Sequence, residues 1–121
     1  MASSDGRFSQ GTVVRVPFPY TDAETRQHRP ALVVAFAESD ADPFLIWVVM
    51  ITSAANRGWP GDIEIPDAAG AGLPAPSLVR TAKIATIEVA RAEPRGRIDP
   101  ATLAAVRGAI GERLGLLPAG S

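Results

Sequence analysis

Cysteine is absent from the chain, which removes disulfides, thiolate metal sites and a cysteine nucleophile together. Histidine occurs once, as His28, so no histidine cluster can form. The close carboxylate pairs, Asp40 with Asp42 and Asp62 with Glu64, read as solvated turn or strand charges rather than metal ligands. An excess of either sign is missing too, since 12 basic and 13 acidic residues leave a net charge of −1. No global basic field recruits nucleic acid, and any such contact needs a local patch. Long apolar runs are also lacking. The longest, residues 44–51, falls far short of the roughly 20 residues that cross a bilayer. The polar opening MASSDGRFSQ has no secretory core. A soluble, cytoplasmic protein is expected.

What is present fits one small domain of 121 residues, expected as a disordered tail over 1–9 followed by a domain over 10–117. Every basic residue except Lys83 is an arginine. That choice suits bidentate phosphate contacts, although a GC-rich coding sequence would explain it together with the abundant Ala, Gly and Pro. β-Branched and apolar runs predict strands over 12–18, 29–37 and 44–52, with a half-exposed strand over 62–65. Residues 77–81 predict another, which 83–87 continue or bend, and 95–98 a short last one. The third strand is apolar on both alternating faces, so it is buried on both sides or carries a subunit interface. The polar segment 19–28 is too long for a tight hairpin, and long loops on small scaffolds are often functional.

Asp99 followed by Pro100 is an N-cap with proline at the first helical position. Leu103, Val106, Ile110, Leu114 and Leu117 then recur at helical spacing, one apolar stripe on a helix ending near Gly115. Arg107, Glu112 and Arg113 take the solvent side. Short strands closed by one helix predict an α+β fold, a small SH3-like barrel packed by a C-terminal amphipathic helix.

No phosphate loop, nucleophile elbow or metal-binding spacing is present, so candidate chemistry rests on polar groups at strand ends. Arg29 opens the second strand ahead of Pro30, which restricts its backbone. Antiparallel pairing about a turn near Asp40-Ala41 makes Arg29 and Thr52 cross-strand neighbours. A hydroxyl beside a guanidinium at a sheet end can hold a phosphate. The plainer alternatives are an ion pair of Arg29 with Asp22 or Glu24, and simple β propensity for Thr52. His28, next to Arg29, points to the opposite face if it already lies in the strand. Tyr20, Arg26, Arg57, Arg80 and Lys83 could line a groove by stacking and charge.

The segments GTVVRVPFPYTD, RPALVV, ITSA, SLVRTAKIATI and RIDPATLAAVRGAIGERLGL, in that order, resemble the MazF/PemK family of toxin endoribonucleases. The resemblance implies an SH3-like barrel that dimerises with itself. It also implies metal-independent and cofactor-independent cleavage of single-stranded RNA, and an antitoxin partner whose tail occupies the RNA groove. Arg29 falls on the family's catalytic arginine, Thr52 on its catalytic threonine or serine, and Ser77 on the serine opening the later S-x-V segment. Tyr20, Arg26, His28, Ser53, Arg57, Ser77 and Lys83 are the expected RNA contacts. The implied reaction is attack of a ribose 2′-hydroxyl on the adjacent phosphorus, leaving a 2′,3′-cyclic phosphate and a 5′-hydroxyl. Two departures stand out: Asp22 to His28 replaces the family's frequent Gly-Ser-Glu-Gln type of loop, and Ala82 occupies a position often acidic in relatives. The alternative is a non-cleaving toxin or binding module of the same fold, directed at a protein such as gyrase or at RNA or antitoxin alone.

Overall fold

Six strands and one helix follow one another in a computed structural model that describes residues 9–17, 28–38 and 43–116. The strands are β1 (Thr12–Pro17), β2 (His28–Glu38), β3 (Pro43–Ser53), β4 (Asp62–Glu64), β5 (Ser77–Glu88) and β6 (Glu93–Arg97). The helix α1 spans Pro100–Arg113. Residues 1–8 of the expected tail, most of the polar loop with Tyr20 and Arg26, the turn near Asp40 and the helix-stripe residue Leu117 lie outside the described residues, whereas Ser9 is tied in by accepting from Arg97 at 2.8 Å.

The strands form a single antiparallel sheet in the order β4-β5-β3-β2-β1-β6. The α+β class and closing helix are as expected, but the sheet is open and not a closed barrel. Its outer strands are short, β4 having only 3 residues, and the loop between β4 and β5 bridges their two sides instead. Gly72 in that loop, at φ +84, lies against the Arg95 backbone so closely that a Cβ has no room.

Alternation along the strands creates two cores, one on each face. On the helix face, Val13, Leu32, Val49, Ile51, Val79 and Ile98 pack with Val106 of α1. On the far face, Val14, Val16, Ala31, Val33, Ile46, Val48 and Met50 pack with Ile87 and Ala92. Burying one such valine contributes about 1.5–3 kcal/mol. The third strand is thus buried on both faces through its centre. The sheet overruns its cover, however, for Trp47 of β3 is 51% exposed and Ile84 of β5 46% exposed. Cross-strand pairing puts these two on the helix face, through Trp47 opposite Thr86 and Ile84 opposite Val49.

Asp99 caps α1 by accepting from the Thr102 amide at 2.9 Å and the Thr102 hydroxyl at 2.6 Å. Those bonds, that of the hydroxyl first, hold its carboxyl below the ordinary carboxylate range. The apolar stripe ends one turn earlier than its spacing suggests. Val106 is fully buried and Leu103 and Ile110 pack beside it, but Leu114 is exposed. Gly115, at φ 78, closes the helix with bonds from its own amide to Glu112 and from Leu116 to Gly111, a Schellman turn that carries the chain off the sheet.

Within β5 the register jumps. Arg80 pairs with Met50 but Ile84 with Val49, so Thr81, Ala82 and Lys83 form a bulge. The two sequence segments 77–81 and 83–87 are therefore one bent strand.

Candidate functional site

The β2–β3 ladder pairs Ala31 with Met50, Leu32 with Val49 and Val33 with Val48. Continued by two residues, the same offset sets Arg29 opposite Thr52. Arg29 pairs with Val16 of β1, which fixes its backbone on that side. Arg29 shares strand parity with Ala31 and Val33, and Thr52 with Val48 and Met50, all of the far-face core. Both candidate catalytic side chains thus rise from one face at one end of the sheet. Arg29 is exposed there and Thr52 half-buried.

A polar network backs Thr52. Its Oγ1 accepts from Asn56 Nδ2 at 3.0 Å. Asn56 ends a 3-10 turn, Ala54–Asn56, which Ser53 begins by accepting the Ala55 amide at 3.1 Å. The Asn56 carbonyl accepts from Arg80 Nη2 at 2.7 Å. Arg80 also grips Asp62 with two bonds, Nε to Oδ1 at 3.1 Å and Nη2 to Oδ2 at 2.9 Å. Asp62 in turn accepts the amides of Gly58 and Trp59 at 3.2 and 3.1 Å. The Arg80 and Asp62 side chains are only 10% and 9% exposed. Asp62 is therefore not the solvated charge its sequence context suggested. The Arg80 hydrogen bonds, assisted by those amides and opposed by burial, hold its carboxyl below the usual range. The Asp62 contact likewise raises the Arg80 pKa, so both groups stay charged near neutrality.

Trp59 completes this corner. The Arg80 guanidinium carbon lies 4.4 Å from its ring centre and the Lys83 ammonium 5.4 Å away, both within cation–π range. The β5 bulge brings Lys83 there, and Thr81 fastens the bulge by donating to the Gly61 carbonyl at 2.8 Å.

The other expected contacts scatter. Ser53 stands opposite Ser77 at the end of the β3–β5 ladder, with parity that puts both on the helix face. Ser77 is buried and donates to the Ala75 carbonyl at 2.7 Å, which commits its hydroxyl to the loop before β5. Arg57 is exposed and paired with Glu64 at 2.8 Å. His28 pairs with Pro17 on the helix-face side of β2. It lines a cavity of about 310 Å³ with Val13, Arg15, Pro30, Gly72, Leu73, Pro74 and Arg95. His28 and Arg29 thus point away from each other, as alternation predicts. Sequence reasoning missed Asn56, Trp59 and the buried role of Asp62. The available signal was the Gly58-Trp59-Pro60-Gly61 turn, which brings a following aspartate within reach of the turn amides.

The far-face corner can do two things chemically. A guanidinium and a hydroxyl on one face of a sheet end can together bind a phosphate and stabilise charge that grows on it. Lys83 in the cation–π corner adds positive charge beside it, that of Arg80 being balanced by Asp62. Among the described residues no group of three or more His, Asp or Glu side chains gathers as a metal site. No helix among them is long and apolar enough to cross a membrane.

Known proteins agree with this fold. No curated protein matches the chain, but solved structures do. MazF from Deinococcus radiodurans superposes with TM-score 0.65 at 27% identity, covering 88% of this chain and 96% of its own. A MazE–MazF structure from the same organism gives 0.63 at 26% identity, covering 93% and 99%. A mycobacterial endoribonuclease solved with its cognate antitoxin gives 0.67 at 22% identity, covering 91% and 97%. The family model for PemK-like, MazF-like toxins of type II toxin–antitoxin systems matches residues 9–114. A match over nearly the whole domain, joined to the same fold, places the chain in the PemK-like, MazF-like toxin family.

Proposed function

We propose that the chain is an endoribonuclease toxin that cleaves single-stranded RNA by 2′-hydroxyl attack, leaving a 2′,3′-cyclic phosphate and a 5′-hydroxyl. What supports it is the placement of Arg29 and Thr52, by strand parity, on one face at one end of the β2–β3 pair. The pentavalent phosphorane formed in such an attack gains charge on its non-bridging oxygens. Arg29 matches that geometry with a planar fork of donors, and Thr52 supplies one more hydrogen bond. A guanidinium does not deprotonate near neutral pH, so Arg29 acts as charge stabiliser and not as base. His28 faces the other side of the sheet, which leaves water to take the 2′-proton. The stabilising charge comes from Arg29, so the reaction proceeds without a metal.

Two partners follow. Relatives solved as MazE–MazF assemblies support an acidic antitoxin for this chain, received on the same basic corner. The exposed pair Trp47 and Ile84 supports a second copy of the chain as the cover of that sheet face.

The test is incubation of single-stranded RNA with purified protein in EDTA. Wild type is expected to cut, with fragments that a kinase labels directly at a free 5′-hydroxyl. Arg29→Ala is expected to lower kcat by about 10²–10³-fold, the usual effect of removing one charge-stabilising donor. Equal cutting by both proteins would remove Arg29 from the mechanism. Binding without any cutting would favour the non-cleaving toxin instead.

A further inference from the structure

Thr52 does not stand alone at the end of β3, because one of its acceptor sites is already occupied. A hydroxyl has one donor and two acceptor sites. Asn56 Nδ2 donates into one of them at 3.0 Å. An amide N–H in that place repels the hydroxyl proton and turns it away from Asn56, leaving it to donate on the sheet face that Arg29 shares by strand parity. An acceptor in the same place would draw the proton inward and leave only a lone pair facing the RNA. The choice of a donor at position 56 thus decides which way Thr52 works.

Asn56 is itself fixed at both ends of its turn. Ser53 holds the start through the Ala55 amide, and the Arg57 amide closes the turn onto the Ala54 carbonyl at 3.2 Å. From below, Arg80 holds the Asn56 carbonyl while its remaining bonds go to Asp62. With its side chain only 10% exposed and its flat face near Trp59, Arg80 is committed to this frame and is not a phosphate ligand.

We propose that Asn56 is a positioning residue, clamped by the Arg80–Asp62 pair, which sets the Thr52 hydroxyl as a hydrogen-bond donor to the scissile phosphate. This rests on the endoribonuclease reading for its substrate, but the Asn56–Thr52 bond can be measured without RNA. The carboxamide acts through Thr52 and touches no reacting atom.

The experiment has two arms. In the first, cleavage of an RNA oligonucleotide is followed by wild type, Asn56→Leu and Asn56→Asp, with thermal melts confirming that each variant folds. Asn56→Leu, similar in size without a donor, is expected to lose kcat by about tenfold, the weight of one hydrogen bond, with KM nearly unchanged. Ionised, the Asn56→Asp side chain only accepts, so its loss is larger at neutral pH. Once protonated it donates again, and its rate relative to wild type is expected to rise as pH falls through about 4, the aspartate range. Asn56→Leu shows no such rise, which a merely structural role could not distinguish. In the second arm, hydrogen exchange of the Asn56 side-chain amide is measured by NMR in wild type and Thr52→Val, and faster exchange is expected in the variant.

Unchanged kcat in Asn56→Leu, or a flat ratio for Asn56→Asp, while wild type cleaves, overturns this inference alone. Identical amide exchange in wild type and Thr52→Val overturns it as well, with or without RNA. No cleavage by wild type removes the endoribonuclease reading and the donation to phosphate with it.

Discussion

Two ion pairs bracket the turn between β3 and β4, and their bond lengths rank them wrongly. Arg57–Glu64 is the shorter at 2.8 Å, Arg80–Asp62 the longer at 2.9 Å. The first stands in solvent, its side chains 60% and 63% exposed. Water screens it, and ordering two long side chains offsets what the charges contribute. The second is shielded by Trp59 and the strands, and every bond it makes also fixes a piece of backbone: the Gly58 and Trp59 amides on one side, the Asn56 carbonyl on the other. What an ion pair does depends on the company it keeps, more than on its length.

The largest effect expected from breaking this contrast is on stability. Arg80→Met leaves the Asp62 carboxylate shielded without its cation and is expected to cost about 3–5 kcal/mol, read as a lower urea midpoint at unchanged slope. A loss no larger than that of Arg57→Ala would erase the difference between the pairs. Removing both charges sharpens it. Arg80→Met with Asp62→Leu is expected to return most of that stability, since apolar replacement of a buried pair is often nearly neutral. RNA cleavage is expected to stay low in the double variant, because the Asn56 carbonyl has lost its donor.

Acid supplies a smaller effect. The Asp62 carboxyl titrates below its unfolded value of about 3.9, so its contribution is complete above that pH and is lost as pH falls through the folded value. Unfolding free energies between pH 5 and 2 are expected to fall less steeply for Asp62→Asn than for wild type. Some slope remains in the variant, because Asp99 is depressed in the same direction. The smallest effect belongs to the solvent pair. Arg57→Ala is expected to cost less than about 1 kcal/mol, and the cost is expected to vanish in 1 M salt, where screening acts within about 3 Å.

Much of this was readable in the sequence wherever a period or a cap spoke. The β-branched runs marked β1 to β3, and Asp99-Pro100 marked the start of α1 to the residue. Antiparallel arithmetic alone led to the expectation of Arg29 opposite Thr52, and the β2–β3 ladder has that offset from Ala31–Met50 to Val33–Val48. Three features were not legible, each for a physical reason. Closure of a barrel depends on which outer strands meet, and a loop packed by Gly72 met β6 where a strand was expected. Leu114 continued the helical period but caps the helix inside the Schellman turn, where hydrophobic spacing does not register that the cover has ended. Asp62 sits in an alternating strand that looks half-exposed, and its partner Arg80 is distant in sequence. Only the fold shows that the two meet. Ser77 illustrates the converse: a serine at the place the family motif marks, its hydroxyl spent on Ala75.

The bulge at Thr81 to Lys83 has a consequence for how this chain tolerates changes of length. Because three residues are inserted between partners of adjacent β3 positions, excising all three joins Arg80 to Ile84 with every side chain still on its own face. Excising two leaves a single extra residue, which either stays as a bulge or turns the strand beyond it face about. Excising one leaves two, and a slip of the ladder by two positions absorbs them with every face kept. Parity is what the sheet demands here, and losing all three residues takes Thr81 and Lys83 with them, which would strip the corner around Trp59 while leaving the β3–β5 ladder whole.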